Sequence, residues 1–165
     1  MDEGYRGLIV NTMPSITKLL QYEEGFREKP YLCSEGYPTV GTGIRIGPKG
    51  ADLKNYEFTV PKEVDAVWLQ CKLNECMRGM LSNERISRAM NVLDEARTAV
   101  LVSMAYQMGV AGLAQFKDTL SLVEHKHFED AAVAMLQSKW AKQTPNRAKR
   151  HAEQMRSGLW CSEYK

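Results

Sequence analysis

Apolar residues at helical spacing predict a short first helix that ends at a glutamate. The apolar positions of this pattern are Ile16, Leu19 and Leu20. Glu24 follows Leu20 by four residues, so its carboxylate extends the buried stripe at the end of the helix. We expect Thr12 to cap the helix with Pro14 in its first turn, and Gly25 to stop it.

The pattern changes over residues 26–46, where short segments rich in tyrosine, threonine, valine and isoleucine alternate with glycines. Pro30 and Pro38 argue against a helix here. We therefore predict a small antiparallel hairpin or three-stranded sheet that turns near residues 34–36. Residues 47–56 are predicted to form a loop with one short helical turn.

A long helical pattern comes next, and everything after it is predicted to be helical. Thr59 is the expected cap of the long helix, with Pro61 in its first turn. Further helices are predicted over residues 94–107, 116–124 and 128–138. The last helix is expected to begin with Thr144 as its N-cap and Pro145 as its first residue.

These elements predict an α+β fold with a small antiparallel β-sheet lobe, a long connecting helix and a mainly helical lobe. We expect one domain over residues 1–165, with the β lobe and first helix at about 12–60. The connecting helix is expected at about 61–82 and the helical lobe at about 83–165. A cleft between two lobes is a usual place for a binding site.

The composition is that of a soluble globular protein, because 44% of the residues are hydrophobic and 25% are charged. The net charge of +2 does not indicate nucleic acid as a partner. Basic residues are concentrated over residues 139–156, where Glu153 is the only acidic one. This cluster is either a solvated helix face or a patch that steers the protein toward a polyanion.

The chain has no apolar run near the ~20 residues that span a bilayer, so no stable membrane insertion is predicted. Its acidic start, with only a short apolar stretch, is not typical of a secretory signal. Synthesis in a reducing cytoplasm predicts free thiols at Cys33, Cys71, Cys76 and Cys161. No CxxC, HExxH or histidine ligand spacing occurs, so neither a metal site nor a cofactor is predicted.

Glu24 is a candidate general acid, because glycoside hydrolysis needs a carboxylic acid beside the bond that breaks. Partial burial at the end of an apolar helix face is expected to raise the pKa of such a carboxyl. The alternative is a helix-end carboxylate that bonds the backbone, and composition alone favours it. The GTG segment at residues 41–43 lacks the spacing of a phosphate-binding loop.

The order Glu24, Cys33, Thr39 resembles the Glu–Asp–Thr catalytic spacing of the phage-type lysozymes, glycoside hydrolase family 24. The surrounding EGFREKPYLCSEGYPTVGTG is similar to the β-hairpin of that family. The resemblance continues in AVLVSMAYQMGVAGLAQFKDTL, FEDAAVAMLQSKWAKQTPNRAKR and the closing SGLW, and it covers residues 12–160. It is close to the lysozymes of T-even bacteriophages.

The resemblance implies a lysozyme-like two-lobed fold and hydrolysis of the β-1,4 bond between N-acetylmuramic acid and N-acetylglucosamine in peptidoglycan. It assigns Glu24 as general acid and gives Thr39 a role in positioning water. Without that spacing, Thr39 is interpreted as a β-branched residue of a strand.

The resemblance also implies four residues around the cleft. Tyr106 and Thr119 match positions that touch sugar, although a core aromatic and a helix-surface hydroxyl are equally consistent with the sequence. Gln107 matches a residue at the cleft edge, or simply precedes the end of its helix. Arg147 matches an arginine beside the catalytic glutamate, the alternative being an exposed side chain in the first turn of a helix.

The main departure from the family is Cys33, which stands where the family has an aspartate. A free thiol has a pKa of about 8.5, which a nearby Glu24 or Glu35 would raise and Arg147 would lower. Two active mechanisms are open. In the first, Cys33 helps Thr39 to orient the attacking water. In the second, the thiolate attacks the sugar and forms a thioglycosyl intermediate, which changes the stereochemical outcome of hydrolysis. The third alternative is a small half-buried strand residue in a slow or inactive enzyme.

Two further departures concern a structural tie and a contact to the sugar. Ile44 stands where the family commonly has a histidine, which puts a local tie in doubt rather than the chemistry. Ala134 stands where the family presents an amide to the sugar, a loss of roughly 0.5–1.5 kcal/mol of binding.

The leading hypothesis is an active peptidoglycan hydrolase, monomeric, made in the host cytoplasm and acting on the periplasmic cell wall after release by a phage pore protein. A second hypothesis is a lysozyme fold that binds glycan strands without cutting them, and Cys33 is its only direct support. A purely structural helical protein is the third, and the matched cleft residues disfavour it.

Overall fold

The computed structural model describes residues 14–165, so the predicted cap at Thr12 lies outside the described residues. The first helix, α1, runs over Pro14–Glu24 as predicted. Gly25 ends it with a φ of +70°, and its N–H donates to the carbonyl of Gln21 at 3.0 Å. Because glycine has no Cβ, it takes this left-handed conformation at little cost, and the chain turns directly into the sheet.

A three-stranded antiparallel sheet in the order β1-β2-β3 follows α1. Its strands are β1 (Arg27–Leu32), β2 (Pro38–Gly41) and β3 (Ile44–Arg45). Thr39 in the buried β2 pairs with Tyr31 of β1 and with Arg45 of β3. This register puts the side chains of all three residues on the same face of the sheet, since directly paired residues point the same way.

The connecting helix, α2, runs over Lys62–Ser82, and the predicted cap at Thr59 is wrong. Pro61 occupies the N-cap position without a side-chain hydrogen bond. The reason is tertiary, because the N–H of Val60 donates to the carbonyl of Glu28 at 2.8 Å and holds the preceding segment extended along β1. The helical turn predicted in the loop is present as a 3₁₀ turn over Leu53–Asn55.

The second lobe is helical, as predicted. Its helices are α3 (Glu84–Met90), α4 (Glu95–Met108), α5 (Val110–Ala114), α6 (Lys117–Glu124), α7 (Phe128–Leu136), α8 (Lys139–Gln143) and α9 (Pro145–Ser157), and a 3₁₀ turn covers Ser162–Tyr164. The sequence pattern did not separate α3, α5 and α8, because five to seven residues hold too few apolar repeats to define a period. The α+β class with a small sheet and a helical lobe is confirmed.

Helix α4 is the centre of the core, with a continuous run of buried residues from Thr98 to Ala105. Helices α1, α2 and α9 all pack against it. Thr144 occupies the N-cap position of α9, but its hydroxyl donates to the carbonyl of Trp140 at 3.0 Å instead of capping the helix. In this arrangement the C-terminal end of α1, the middle of α4 and the start of α9 come together.

Two global expectations are tested by the described residues. All four cysteines are free thiols, as predicted. No helix in residues 14–165 is long and apolar enough to cross a membrane.

Candidate active site

A cleft of about 890 Å³ lies between the sheet on one side and α2, α4, α8 and their connections on the other. It brings together five of the seven predicted site residues, which are Glu24, Cys33, Thr39, Tyr106 and Gln107. Arg147 does not line the cleft but contacts Glu24 from the interior. The elements that supply these residues are far apart in the chain, so only the tertiary fold creates the cleft.

Thr119 does not line this cleft, and its role as a sugar-contacting residue stays a prediction. Only 3% of it is exposed, and with Leu120 and Val123 it belongs to the buried stripe of α6. The sequence spacing placed it on the right helix but could not determine which face of that helix meets the core. Ala134 on α7 is only half-buried and also lies away from the cleft lining.

Glu24 ends α1 at the cleft wall and is held there by an ion pair. Its Oε1 accepts a hydrogen bond from Nη1 of Arg147 at 2.8 Å, with 19% of the Glu24 side chain exposed and 6% of the arginine. Gly43 gives the carboxylate room, since a Cβ there would lie 2.8 Å from Oε2. The φ of Gly43 is +66°, so both space and backbone conformation favour glycine at this position.

A second ion pair fixes the residue next to Glu24. Arg150, one turn after Arg147, binds Glu23 through both Nε and Nη2 at 2.8 and 2.9 Å. The hydroxyl of Tyr164 also donates to this carboxylate. This bidentate pair joins α9, α1 and the C-terminal 3₁₀ turn beside the cleft.

The basic cluster over residues 139–156 is therefore less open than its sequence indicates. Half of its basic residues are in ion pairs, which are Arg147–Glu24, Arg150–Glu23 and Arg156–Glu153. The exposed remainder consists of Lys139, Lys142 and Lys149.

Cys33 opens the turn between β1 and β2 and lines the cleft. The turn is closed by hydrogen bonds from the N–H of Cys33 to the Tyr37 carbonyl at 3.0 Å and from the N–H of Gly36 to the Cys33 carbonyl at 2.9 Å. Burial acts to raise the pKa of the thiol. Hydrogen bonds from the backbone of Tyr37 and Glu35, the Thr39 side chain and the charge of Arg45 outweigh burial, so the pKa is lowered.

The cation that acts on Cys33 is Arg45, and the expectation that Arg147 lowers this pKa is wrong. Arg45 stacks on the ring of Tyr37, 4.1 Å from its centroid, and pairs with Glu35 at 2.6 Å. Arg147 is instead committed to Glu24 in the interior. No sequence pattern indicated Arg45, because only the pairing of β3 with β2 brings it toward the thiol.

Thr39 and Tyr31 line the cleft from adjacent strands. Thr39 is 2% exposed, and its hydroxyl donates to the Tyr37 carbonyl at 2.9 Å; when Cys33 is ionised, the same proton can turn to its sulfur. The lone pairs of the Thr39 oxygen remain able to accept a hydrogen bond from a molecule in the cleft. Burial, followed by the charge of Glu24, raises the pKa of Tyr31, a cleft residue that the sequence analysis missed.

Tyr106 and Gln107 present polar groups from the end of α4. The hydroxyl of Tyr106 donates to the Thr42 carbonyl at 2.7 Å, and burial followed by the charge of Glu24 raises its pKa far above the usual range. Gln107 accepts from the indole N–H of Trp140 at 2.8 Å. Because that indole can only donate, the contact orients the Gln107 amide and leaves its NH₂ group available to a ligand.

Asp65 and Thr42 tie α2 to the segment between β2 and β3. Asp65 on α2 accepts hydrogen bonds from the N–H of Thr42 at 2.8 Å and from its hydroxyl at 2.6 Å. Ile44 is 2% exposed and packs as an ordinary buried strand residue. Among residues 14–165, no group of three histidine, cysteine, aspartate or glutamate side chains is arranged to hold a metal ion.

Comparison with known proteins places the sequence in a family. The family model described as Phage lysozyme matches residues 21–156. "Probable T4-type lysozyme 1" of Dictyostelium discoideum is 32% identical over 154 residues, which cover 82% of this chain and 90% of that protein.

Two phage proteins are each 28% identical to the chain. They are "Pre-baseplate central spike protein Gp5" of Enterobacteria phage T4, with 85% of this chain and 27% of that protein covered, and "Peptidoglycan hydrolase gp36" of Pseudomonas phage phiKMV, with 90% and 16% covered. The chain therefore spans most of the Dictyostelium protein but only a small part of the two phage proteins. Since the family model covers most of the chain and both lobes, this chain belongs to the phage lysozyme family.

Proposed function

We propose that the protein hydrolyses the β-1,4 bond between N-acetylmuramic acid and N-acetylglucosamine in peptidoglycan, with Glu24 as general acid. Members of the phage lysozyme family are glycoside hydrolases, and one relative is named a peptidoglycan hydrolase. The observation that carries the proposal is the cleft itself. It contains a carboxylate oriented by an arginine, together with a thiol and a hydroxyl supplied by the sheet.

In this mechanism Glu24 protonates the glycosidic oxygen as the bond to the anomeric carbon breaks. Thr39 accepts a hydrogen bond from the attacking water, which its donation to the Tyr37 carbonyl leaves it able to do. Tyr106 and Gln107 contact the sugar from the wall of α4. Their own hydrogen bonds to Thr42 and Trp140 fix them before substrate arrives, which lowers the entropic cost of binding.

Cys33 takes the place of the second carboxylate. Its lowered pKa increases the thiolate fraction at neutral pH, and the thiolate sulfur helps Thr39 to orient water against the anomeric carbon. Direct attack by the sulfur is the competing route, and the two routes differ in stereochemistry. Water attack on the β-linked sugar releases the α-anomer, whereas a thioglycosyl intermediate followed by water attack releases the β-anomer.

The first experiment is mass spectrometry of purified Gram-negative sacculi after incubation with the protein, beside Glu24→Gln. Muropeptides with reducing N-acetylmuramic acid ends, absent with the variant, support the hydrolase. Sacculi that stay intact but retain bound protein would instead show a glycan-binding module. Proton NMR of the first product, before mutarotation, then separates the two routes for Cys33.

The same proposal includes where the protein acts. We infer a monomer made in the host cytoplasm that reaches the periplasmic wall through a phage pore protein. The three exposed lysines near α8 and α9 support electrostatic attraction to the anionic wall. Light scattering that gives a mass near 18.7 kDa would agree with a monomer.

A further inference from the structure

Arg147, which holds Glu24, is only partly fixed by that contact. A guanidinium normally grips a carboxylate through two parallel hydrogen bonds, as Arg150 grips Glu23. Arg147 uses a single nitrogen, Nη1, to reach Glu24. Within residues 14–165 its buried Nε has no hydrogen-bond partner, so one contact alone would let the guanidinium pivot.

The second anchor of Arg147 is Ser103, on the buried face of α4. Nη2 of Arg147 donates to the Ser103 hydroxyl at 2.8 Å and to its carbonyl at 3.2 Å. Ser103 is completely buried, and the same hydroxyl lies 2.7 Å from Nε2 of His151, which is also completely buried. One hydroxyl therefore bridges an arginine and a histidine in the interior.

The proton assignments in this bridge follow from what each group can donate. Arg147 only donates, so the Ser103 oxygen accepts from it. The Tyr164 hydroxyl gives its proton to Glu23, so its oxygen can accept from Nδ1 of His151 at 3.3 Å. With the proton on Nδ1, Nε2 of His151 accepts the Ser103 proton. Each hydrogen bond from Arg147 through Ser103 and His151 to Tyr164 then has one donor and one acceptor.

We infer that Ser103 and His151 are positioning residues of the site, which act through Arg147 to hold the Glu24 carboxylate at the cleft wall. His151 sets the direction of the Ser103 hydroxyl, the hydroxyl fixes Nη2 of Arg147, and Nη1 fixes Glu24. This inference rests on the proposed role of Glu24 as general acid. Neither Ser103 nor His151 lines the cleft, so they do not touch substrate.

The test compares variants that break the bridge with variants that restore it. Ser103→Ala and His151→Leu remove it, whereas Ser103→Thr and His151→Gln keep a hydroxyl and an acceptor. The matched control is Gln154→Met, because Gln154 also links α9 to α4, through the Ala96 carbonyl at 2.7 Å, without touching Arg147. All are assayed on soluble peptidoglycan fragments at a temperature where each is folded.

We expect Ser103→Ala and His151→Leu to lower kcat about tenfold, the ratio set by the loss of one hydrogen bond to a charged group. KM should stay within about twofold, since substrate contacts are unchanged. The restoring variants should recover most of kcat, and Gln154→Met should keep it. Unchanged kcat in Ser103→Ala, or an equal loss in Gln154→Met, would overturn the inference.

A second readout does not depend on activity. Heteronuclear NMR of the arginine side chains, with Arg147→Lys used for assignment, reports rotation of the Arg147 guanidinium. We expect resolved, slowly exchanging Nη2 protons in the parent protein and averaged ones in Ser103→Ala. If the parent cuts no peptidoglycan, the proposed function fails, while this measurement still decides whether Ser103 anchors Arg147. Identical spectra in the two proteins would overturn the inference.

Discussion

Removing the titratable ring of His151 should change how the stability of the protein depends on pH. The ring is completely buried, and Arg147, Arg150, Tyr164 and Ser103 are the charged or polar groups that face it. Burial, followed by the charges of the two arginines, lowers its pKa well below the ordinary value of 6.5. His151 is therefore neutral in the folded protein at neutral pH.

The sign of the effect follows from the direction of that shift. Below pH 6.5 the unfolded chain binds a proton at His151 that the folded protein does not bind, so stability falls as pH falls. One proton can change the free energy of unfolding by at most about 1.4 kcal/mol per pH unit. Because the folded pKa is well below 6.5, the free energy of unfolding should fall by about 1.4 kcal/mol between about pH 7.5 and about pH 5.5.

The assay is urea unfolding followed by tryptophan fluorescence, for the parent protein and His151→Gln, at both pH values. Subtracting the two pH dependences cancels the contribution of carboxylates, which are the same in both proteins. The parent should lose about 1.4 kcal/mol more free energy of unfolding than the variant. Parallel pH profiles would mean that His151 takes up its proton while folded, which contradicts a lowered pKa of this ring.

Three further outcomes follow from the structure. Iodoacetamide should label Cys33 well before Cys76 at neutral pH, because burial raises the pKa of Cys76 to about 11 whereas that of Cys33 is lowered; peptide mapping checks the order. Gly43→Ala should lower kcat at least about tenfold by displacing Glu24, and its melting temperature should fall by several degrees because the positive φ strains an alanine; equal activity would contradict the close packing. Asp65→Asn should destabilise the fold by about 1–3 kcal/mol in urea, because a buried carboxylate accepts two hydrogen bonds there.

Local chemistry made much of the fold predictable. The apolar spacing of α1, the stop at Gly25 and the β-rich composition of residues 26–46 each act over a few residues, and the structure confirms the elements they predicted. Thr59 shows the limit of such reasoning. A threonine before a helix is a good cap in isolation, but a hydrogen bond between Val60 and β1 holds this segment extended.

The residues of the site also fall into two groups, those that local spacing predicted and those that only the fold positions. Glu24, Cys33 and Thr39 lie within one short stretch, so their spacing could be compared directly with a family pattern. Thr119 could not be placed, because the face of a short helix that becomes buried depends on its neighbours. The cation beside Cys33 was assigned incorrectly, since the pairing of β2 with β3 brings Arg45 there.

The order of the elements, the position of the candidate acid at a helix end and the replacement of an aspartate by Cys33 can all be read from the chain alone. The contacts that hold that acid in place exist only in the folded protein. Arg147 and Glu24 are 123 residues apart, and Ser103 joins them from a third helix. The hydrophobic burial of α1, α4 and α9 sets the distances between these three helices. Because that packing brings the side chains together, their spacing along the chain does not predict the hydrogen bonds between them.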